Sequence, residues 1–264
     1  MNDFARLPLR LIACGLLMFT ACSDTEPVSD VADDVALDIP TPPDVADVVE
    51  DETSPSDAGP QAGLGIDYDS EPSGAAMVFA PESDVWTATG WPSDRLLKNG
   101  VPDLSSFPGW EMDLLDQYLS YGMEVLDGWG TNGTVYMEFD ATLDETQFPD
   151  AMTTLNDPKA LVQLVNVTDG SVRFGERLPL EMSFYDEGTD LYYRPRTLAI
   201  RPVLGFPLAP GETYCAVVAR GLKDASGAYL GQAESLVEAL EDATYLEPFG
   251  AWLAQSEFLI QDIA

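Results

Sequence analysis

The chain has 264 residues, with 46 acidic and 12 basic side chains, no histidine, a formal charge of -34 and a pI near 4.1. Such an acidic surface repels nucleic acid, and the missing histidine excludes Ser-His-Asp or Cys-His catalytic pairs and histidine-ligated zinc or haem. Three cysteines fall short of a disulfide framework or a four-thiolate metal site, while a hydrophobic share of 45% supports a packed core in part of the chain.

Arg6 and Arg10 make a basic start, and Leu11 to Phe19 form an apolar run. The run is too short to span a bilayer and suits the centre of a signal peptide. Phe19-Thr20-Ala21-Cys22 then resembles the lipobox of bacterial lipoproteins: an apolar residue and two small ones before the cysteine that is lipidated. Phe19 stands where leucine is usual. The resemblance implies that residues 1–21 are a signal peptide and that Cys22 is the lipidation site, with Cys14 lost in the leader. Ser23, second in the mature chain, resembles the signal for passage to the outer membrane. The expected location is therefore the outer membrane, lipid-anchored, on its periplasmic or cell-surface face. An ordinary secretory leader cleaved elsewhere is the alternative.

Residues 23–75 hold 15 acidic residues and no Lys or Arg, and the tetrapeptide DVAD occurs at 30–33 and again at 44–47. Low hydrophobicity and like charge cannot offset the entropy of ordering, so residues 22–75 are expected to be a disordered acidic tether. A calcium loop would need a fixed turn and a bidentate ligand at a set spacing, and neither is visible there.

Aromatic and aliphatic residues return after Met77. Residues 76–130 are expected to be an irregular segment, rich in Pro, Gly and Trp, followed by a helix over 111–126. Met112, Leu115, Leu119, Met123 and Leu126 fall on one face of that helix, with Asp113, Asp116, Gln117, Ser120 and Glu124 away from it. Gly128 is a plausible stop. The period then becomes two, with alternation at Val135/Met137/Phe139 and at Leu180/Met182/Phe184. A more continuous apolar run covers 160–167, a short strand contains Leu198 and Ile200 and closes at Pro202, and another strand covers 213–219. Short strands separated by turn residues predict a β-sandwich over 131–231. Residues 232–264 read as a helical tail, with Leu236, Val237, Leu240, Leu246, Phe249, Trp252 and Leu253 at helical spacing.

Two family resemblances follow from quoted segments. Residues 133–144, GTVYMEFDATLD, resemble the opening strand of bacterial Ig-like modules of surface-layer and secreted proteins. Residues 198–230 resemble their closing strands, through Leu208, Pro210, Gly211, Tyr214, Gly221, Leu222, Asp224, Gly227 and Leu230. That resemblance implies a turn at Pro210-Gly211, a corner anchored by Tyr214 and a hairpin closed by Asp224 and Gly227. Residues 91–108, WPSDRLLKNGVPDLSSFP, resemble the start of the N-terminal domain of bacterial lipoprotein lipases, with Asn99-Gly100 in place of Asp-Gly. In that family an α/β-hydrolase domain follows in some members. The 264 residues contain no G-x-S-x-G elbow, and they end at Ile263-Ala264 inside an apolar pattern, so any such domain is expected beyond Ala264.

The fold class expected is mainly β: an Ig-like β-sandwich with an N-terminal irregular and helical segment and C-terminal helices, preceded by the tether. The expected function is a lipid-anchored cell-envelope module, structural or binding, with no catalytic residues, no cofactor and no metal. Its partners are the membrane, through lipid on Cys22, and an unidentified protein or carbohydrate; nucleic acid is excluded. The alternative is the N-terminal accessory domain of a longer lipase- or esterase-type hydrolase. A carboxylate-pair glycosidase stays open in principle, but the sequence singles out no pair among the acidic residues of 76–264. Cys215 reads as a buried inert thiol in preference to a reactive one. Trp86, Trp91, Trp110 and Trp129 either cover a core edge or line a carbohydrate groove. Asp140, Asp144 and Asp224 either serve turns or hold calcium at the end of the sandwich.

Overall fold

The computed structural model describes the backbone of residues 17–20, and residues 63–83, 85–188, 194–241 and 247–264. In chain order the elements are β1 (Leu17–Thr20), β2 (Leu97–Lys98), β3 (Val101–Pro102), α1 (Asp113–Val125), β4 (Val135–Glu138) and α2 (Ala151–Asn156). Then come β5 (Val162–Asn166), β6 (Leu180–Tyr185), β7 (Thr197–Pro202), β8 (Thr213–Val218), α3 (Glu234–Glu241) and α4 (Phe249–Leu253). Strand exceeds helix, and every strand pair is antiparallel.

Two three-stranded sheets, ordered β4-β7-β6 and β1-β8-β5, share one core. Alternation in the first sheet turns Val135, Met137, Phe139, Leu180, Phe184, Leu198 and Ile200 inward. They meet Val162, Leu164, Tyr214, Ala216 and Val218 of the second sheet. Burying each large apolar side chain contributes about 1.5–3 kcal/mol, so this interface dominates the stability. Glu181, Ser183 and Arg201 occupy the opposite face of the first sheet and are exposed.

The second sheet is covered on both sides. Val165, Val167, Cys215, Val217 and Ala219 face away from the first sheet and pack with Leu236, Leu240, Phe249, Trp252 and Phe258. A strand buried on both faces has no polar alternation, which is why 160–167 and 213–219 are nearly continuous apolar runs. The helical tail thus forms a third layer. Val237 of the expected apolar stripe is 37% exposed, and Leu246 lies outside the described residues.

Corners form where the closing segment implied them. Gly211 has φ +73°, and the Ala209 N–H donates to Tyr214 Oη at 2.9 Å. Gly227, at φ +88°, lets the 224–228 turn close with the Gly227 N–H on the Asp224 carbonyl at 2.9 Å. Pro202 is the last residue of β7, paired with Leu180; the next N–H, that of Val203, donates to the Pro179 carbonyl.

Two boundaries differ from the sequence reading. Residues 63–75, assigned to the tether, belong to the fold. Leu64 and Tyr68 bond to Asp262, the Gly74 N–H donates to the Tyr229 carbonyl at 2.7 Å, and Ala75 is core. Their few apolar residues are diluted by acid when composition is averaged over the whole tract. The unit 131–231 is likewise not self-contained, because Met77 bridges Phe139, Trp91 bridges Tyr136 and Ile263 bridges Ala219. Residues 22–62 lie outside the described residues.

Helix α1 departs from its expected face too. Leu119 is buried, and Leu115 and Met123 pack on the core, but Met112 and Leu126 are exposed. A second stripe of Leu114, Tyr118, Tyr121 and Val125 lies at 67%, 66%, 62% and 51% exposure. The helix therefore carries apolar residues on its open side as well as its core side.

Candidate functional site

Cys22, the expected lipidation site, lies outside the described residues. Among those residues, no helix is long and apolar enough to cross a membrane.

The tryptophans form a mutual packing cluster. Trp91 meets Trp86 at 5.3 Å edge to face, Trp129 at 4.9 Å edge to face and Phe107 at 5.4 Å. Trp86 and Trp129 are buried, and Trp110 Nε1 donates to the Leu104 carbonyl at 3.0 Å. Ring faces used against one another do not offer the open platform that sugar stacking requires. This favours the core-edge alternative over the carbohydrate groove, and it explains how an irregular segment is held without regular strands.

The three singled-out aspartates serve the backbone. Asp144 Oδ1 accepts from the Thr146 N–H and hydroxyl, and Asp140 Oδ1 accepts from the Ala76 N–H at 2.8 Å. Asp224, 7% exposed, accepts from the backbone of Ala75 at 3.0 Å, Ser226 at 2.9 Å and Ala228 at 3.1 Å, and from the Ser226 hydroxyl at 2.6 Å. Burial pushes the Asp224 carboxyl up, but the bonds from Ser226, Ala75 and Ala228 outweigh it and hold it below the usual carboxylate range. Hydrogen bonds from Thr146 and Gln147 lower Asp144 in the same way. Among the described residues, no group of three or more His, Cys, Asp or Glu side chains is placed to hold a metal ion.

Asp224 also fixes the entry of the 73–76 segment. A Cβ on Gly74 would lie 2.7 Å from Asp224 Oδ2 and 2.7 Å from the Tyr229 carbonyl, so only glycine lets the chain pass this close. A second carboxylate does the same at the other end. Buried Asp262 accepts from the Leu64 N–H at 3.1 Å, the Leu259 N–H at 2.8 Å and the Tyr68 hydroxyl at 3.1 Å. Arg220 lies 3.9 Å over the Tyr68 ring and donates to the carbonyls of Leu230 and Gln261. Burial first, then the Asp262 charge, pushes the Tyr68 phenol well above its ordinary range. Sequence reasoning missed this clasp, because Tyr68 sits in the acidic tract and Asp262 in the apolar tail.

Among the described residues, surface features include hollows on the first sheet and beside the helical tail, and an apolar stripe on α1. A hollow of about 280 Å³ on the open face of β4-β7-β6 is lined by Tyr136, Ser183, Tyr185 and the pair Glu181 and Arg201, in which Arg201 Nε donates to Glu181 Oε2 at 2.9 Å. A second, of about 200 Å³, lies between Pro158, Phe174, Arg177, Trp252 and Gln163. The Gln163 amide is turned by two bonds from Nε2, to the carbonyls of Pro158 and Ala160, which leaves its buried Oε1 without a donor among the described residues. The stripe is the open side of α1, flanked on the helix surface by Asp113 and Glu124. Cys215 is buried in β8, with its Sγ 3.8 Å from the Ala216 carbonyl oxygen. Burial of this kind keeps a thiol out of reach of solvent reagents.

No family model, curated protein or solved structure matches the chain.

Proposed function

We propose that the protein is a lipid-anchored lipoprotein of the bacterial outer membrane that holds an Ig-like module away from the lipid on an acidic tether. The observation that carries this reading is the sequence from Arg6 to Cys22: a basic start, a short apolar run and two small residues before a cysteine. Two facing antiparallel sheets and the Tyr214 corner support the Ig-like assignment. The module is non-catalytic. Its buried carboxylates, Asp224 and Asp262, are consumed in holding chain segments together, and the open side of α1 exposes Leu114, Tyr118, Tyr121 and Val125. The partner in this reading is a membrane below and a protein or carbohydrate above. Fractionation tests it. The wild-type chain should sediment with membranes and partition into detergent, and Cys22→Ala should appear in the soluble fraction or remain unprocessed. Equal partitioning of the two overturns the reading.

A further inference from the structure

We propose that the hollow of about 200 Å³ between the β5 edge and the helical tail binds a small carboxylic acid that carries an N–H or O–H donor beside its acid group, with Arg177 taking the carboxylate and Gln163 the donor. The site does not depend on the lipid anchor.

Sheet geometry brings the two polar residues to one face. Gln163 pairs with Val217 of β8, and Val217 faces the helical layer. Val165, two residues further on, points to the same side. Arg177 bridges Val165 on the edge of β5 away from β8, and residues opposite one another in an antiparallel bridge share a face. Gln163 and Arg177 therefore both lie under the tail, where Phe174 and Trp252 wall the hollow. The other residues of this face, Val165, Val167, Cys215, Val217 and Ala219, are apolar.

Each of the two polar residues has an atom left over. Gln163 is 1% exposed. Its Nε2 donates to the carbonyls of Pro158 at 2.9 Å and Ala160 at 3.1 Å, and these two acceptors fix which end of the amide is which. Oε1 is buried and meets no donor among the described residues. Arg177 Nε is buried as well, with no acceptor among them. A buried polar atom left unpaired costs about 1–3 kcal/mol, so two that belong to residues lining one hollow call for a partner. Their demands are opposite. A glutamine Oε1 only accepts, and a guanidinium only donates.

Size and walls select the occupant. A single water needs about 10–15 Å³ of such space and two to four polar partners. The hollow is larger than that by more than about tenfold, and the rings of Pro158 and Phe174 offer water no bond. A carboxylate meets a guanidinium through parallel N–H···O bonds, and Nε is one of the donors that can supply them. A donor on the same molecule answers Oε1, and a short aliphatic group lies against Phe174. Glu257 on the rim adds a negative charge, which suits an ammonium donor better than a hydroxyl. The ligand class is the α-amino and α-hydroxy acids.

Four probes on one carbon skeleton test the proposal: L-alanine, L-lactate, propionate and L-alaninamide. Each is titrated at millimolar concentration into the isotope-labelled full chain and followed by NMR at the Gln163 side-chain amide and the Trp252 indole N–H. Alanine and lactate should shift both resonances. Propionate, which lacks the donor, and alaninamide, which lacks the acid, should each bind at least about tenfold more weakly than alanine. Tighter binding of alanine than of lactate supports an amino acid as the ligand, and the reverse order supports a hydroxy acid. Arg177→Met keeps the aliphatic stem and should weaken alanine binding at least about tenfold without lowering Tm. Gln163→Leu should abolish the preference for lactate over propionate. If that variant does not fold, the wild-type comparison of lactate with propionate carries the same test. No shift at either resonance with any probe overturns the proposal, because water or another part of the chain then fills the hollow. Equal affinity for all four probes overturns it too, as does an Arg177→Met chain that binds alanine like wild type.

Discussion

Asp224→Ala should destabilise the protein by about 2–4 kcal/mol. The carboxylate holds three backbone N–H groups and one hydroxyl, and it ties the 73–76 segment to the 224–231 turn. Stranding the buried Ala75 N–H costs about 1–3 kcal/mol, and losing the turn bonds, which water partly replaces, adds about 1 kcal/mol. For a domain of this size that corresponds to a fall in Tm of roughly 4–16 °C. Urea unfolding at neutral pH measures the loss, and hydrogen exchange at Ala75 locates it. Ser226→Ala serves as a control that removes one donor without stranding the Ala75 N–H, and should cost about 0.5–1.5 kcal/mol. The pH dependence has a fixed sign. Because the folded-state pKa of Asp224 is depressed, its contribution is present above the ordinary carboxylate pKa of about 3.9 and is lost as pH falls through the folded-state value. The margin of wild type over Asp224→Ala should therefore be full at pH 6–7 and shrink below about pH 4. A variant within about 0.5 kcal/mol of wild type, or unchanged exchange at Ala75, would refute the reasoning.

Phe139→Ala, at a site with no solvent exposure, should cost about 3–5 kcal/mol by chemical denaturation, enough to threaten a marginally stable domain. Tyr214→Phe removes the acceptor for the Ala209 N–H while keeping the ring, and should cost about 1–2 kcal/mol with faster exchange at Ala209. Asp262→Ala should free residues 63–68 from the tail, read as new proteolytic cleavage near Leu64 and Tyr68 while β4–β8 stay protected.

The strands were legible because a half-buried sheet writes its alternation into the sequence. Val135/Met137/Phe139 and Leu180/Met182/Phe184 each show period two, and their sheet has one solvated face. Residues 160–167 and 213–219 could be located but not oriented, since a strand covered on both sides loses that alternation. In the first helix, Met112, Leu115, Leu119, Met123 and Leu126 predict a single core stripe, of which Met112 and Leu126 are exposed. A pattern read for one buried face passes over Leu114, Tyr118, Tyr121 and Val125, because an apolar residue carries no mark of whether anything covers it. The contributions of residues 63–79 were hidden for a different reason. Their contacts to Asp224, Tyr229 and Asp262 span well over a hundred positions, and no local pattern encodes such pairing. The aromatic segment illustrates the same limit: composition announced the tryptophans, but only geometry shows that Trp86, Trp91, Trp129 and Phe107 use one another's faces. Cys22 is the reverse case, a residue whose proposed role rests wholly on its neighbours in sequence.

Intact mass spectrometry of the protein extracted from membranes tests the central claim most directly. The account predicts a chain that begins at Cys22 and carries the added mass of a diacylglycerol, with or without a further acyl group on the new amino terminus. An unmodified chain, or one that begins at any other residue, would contradict it.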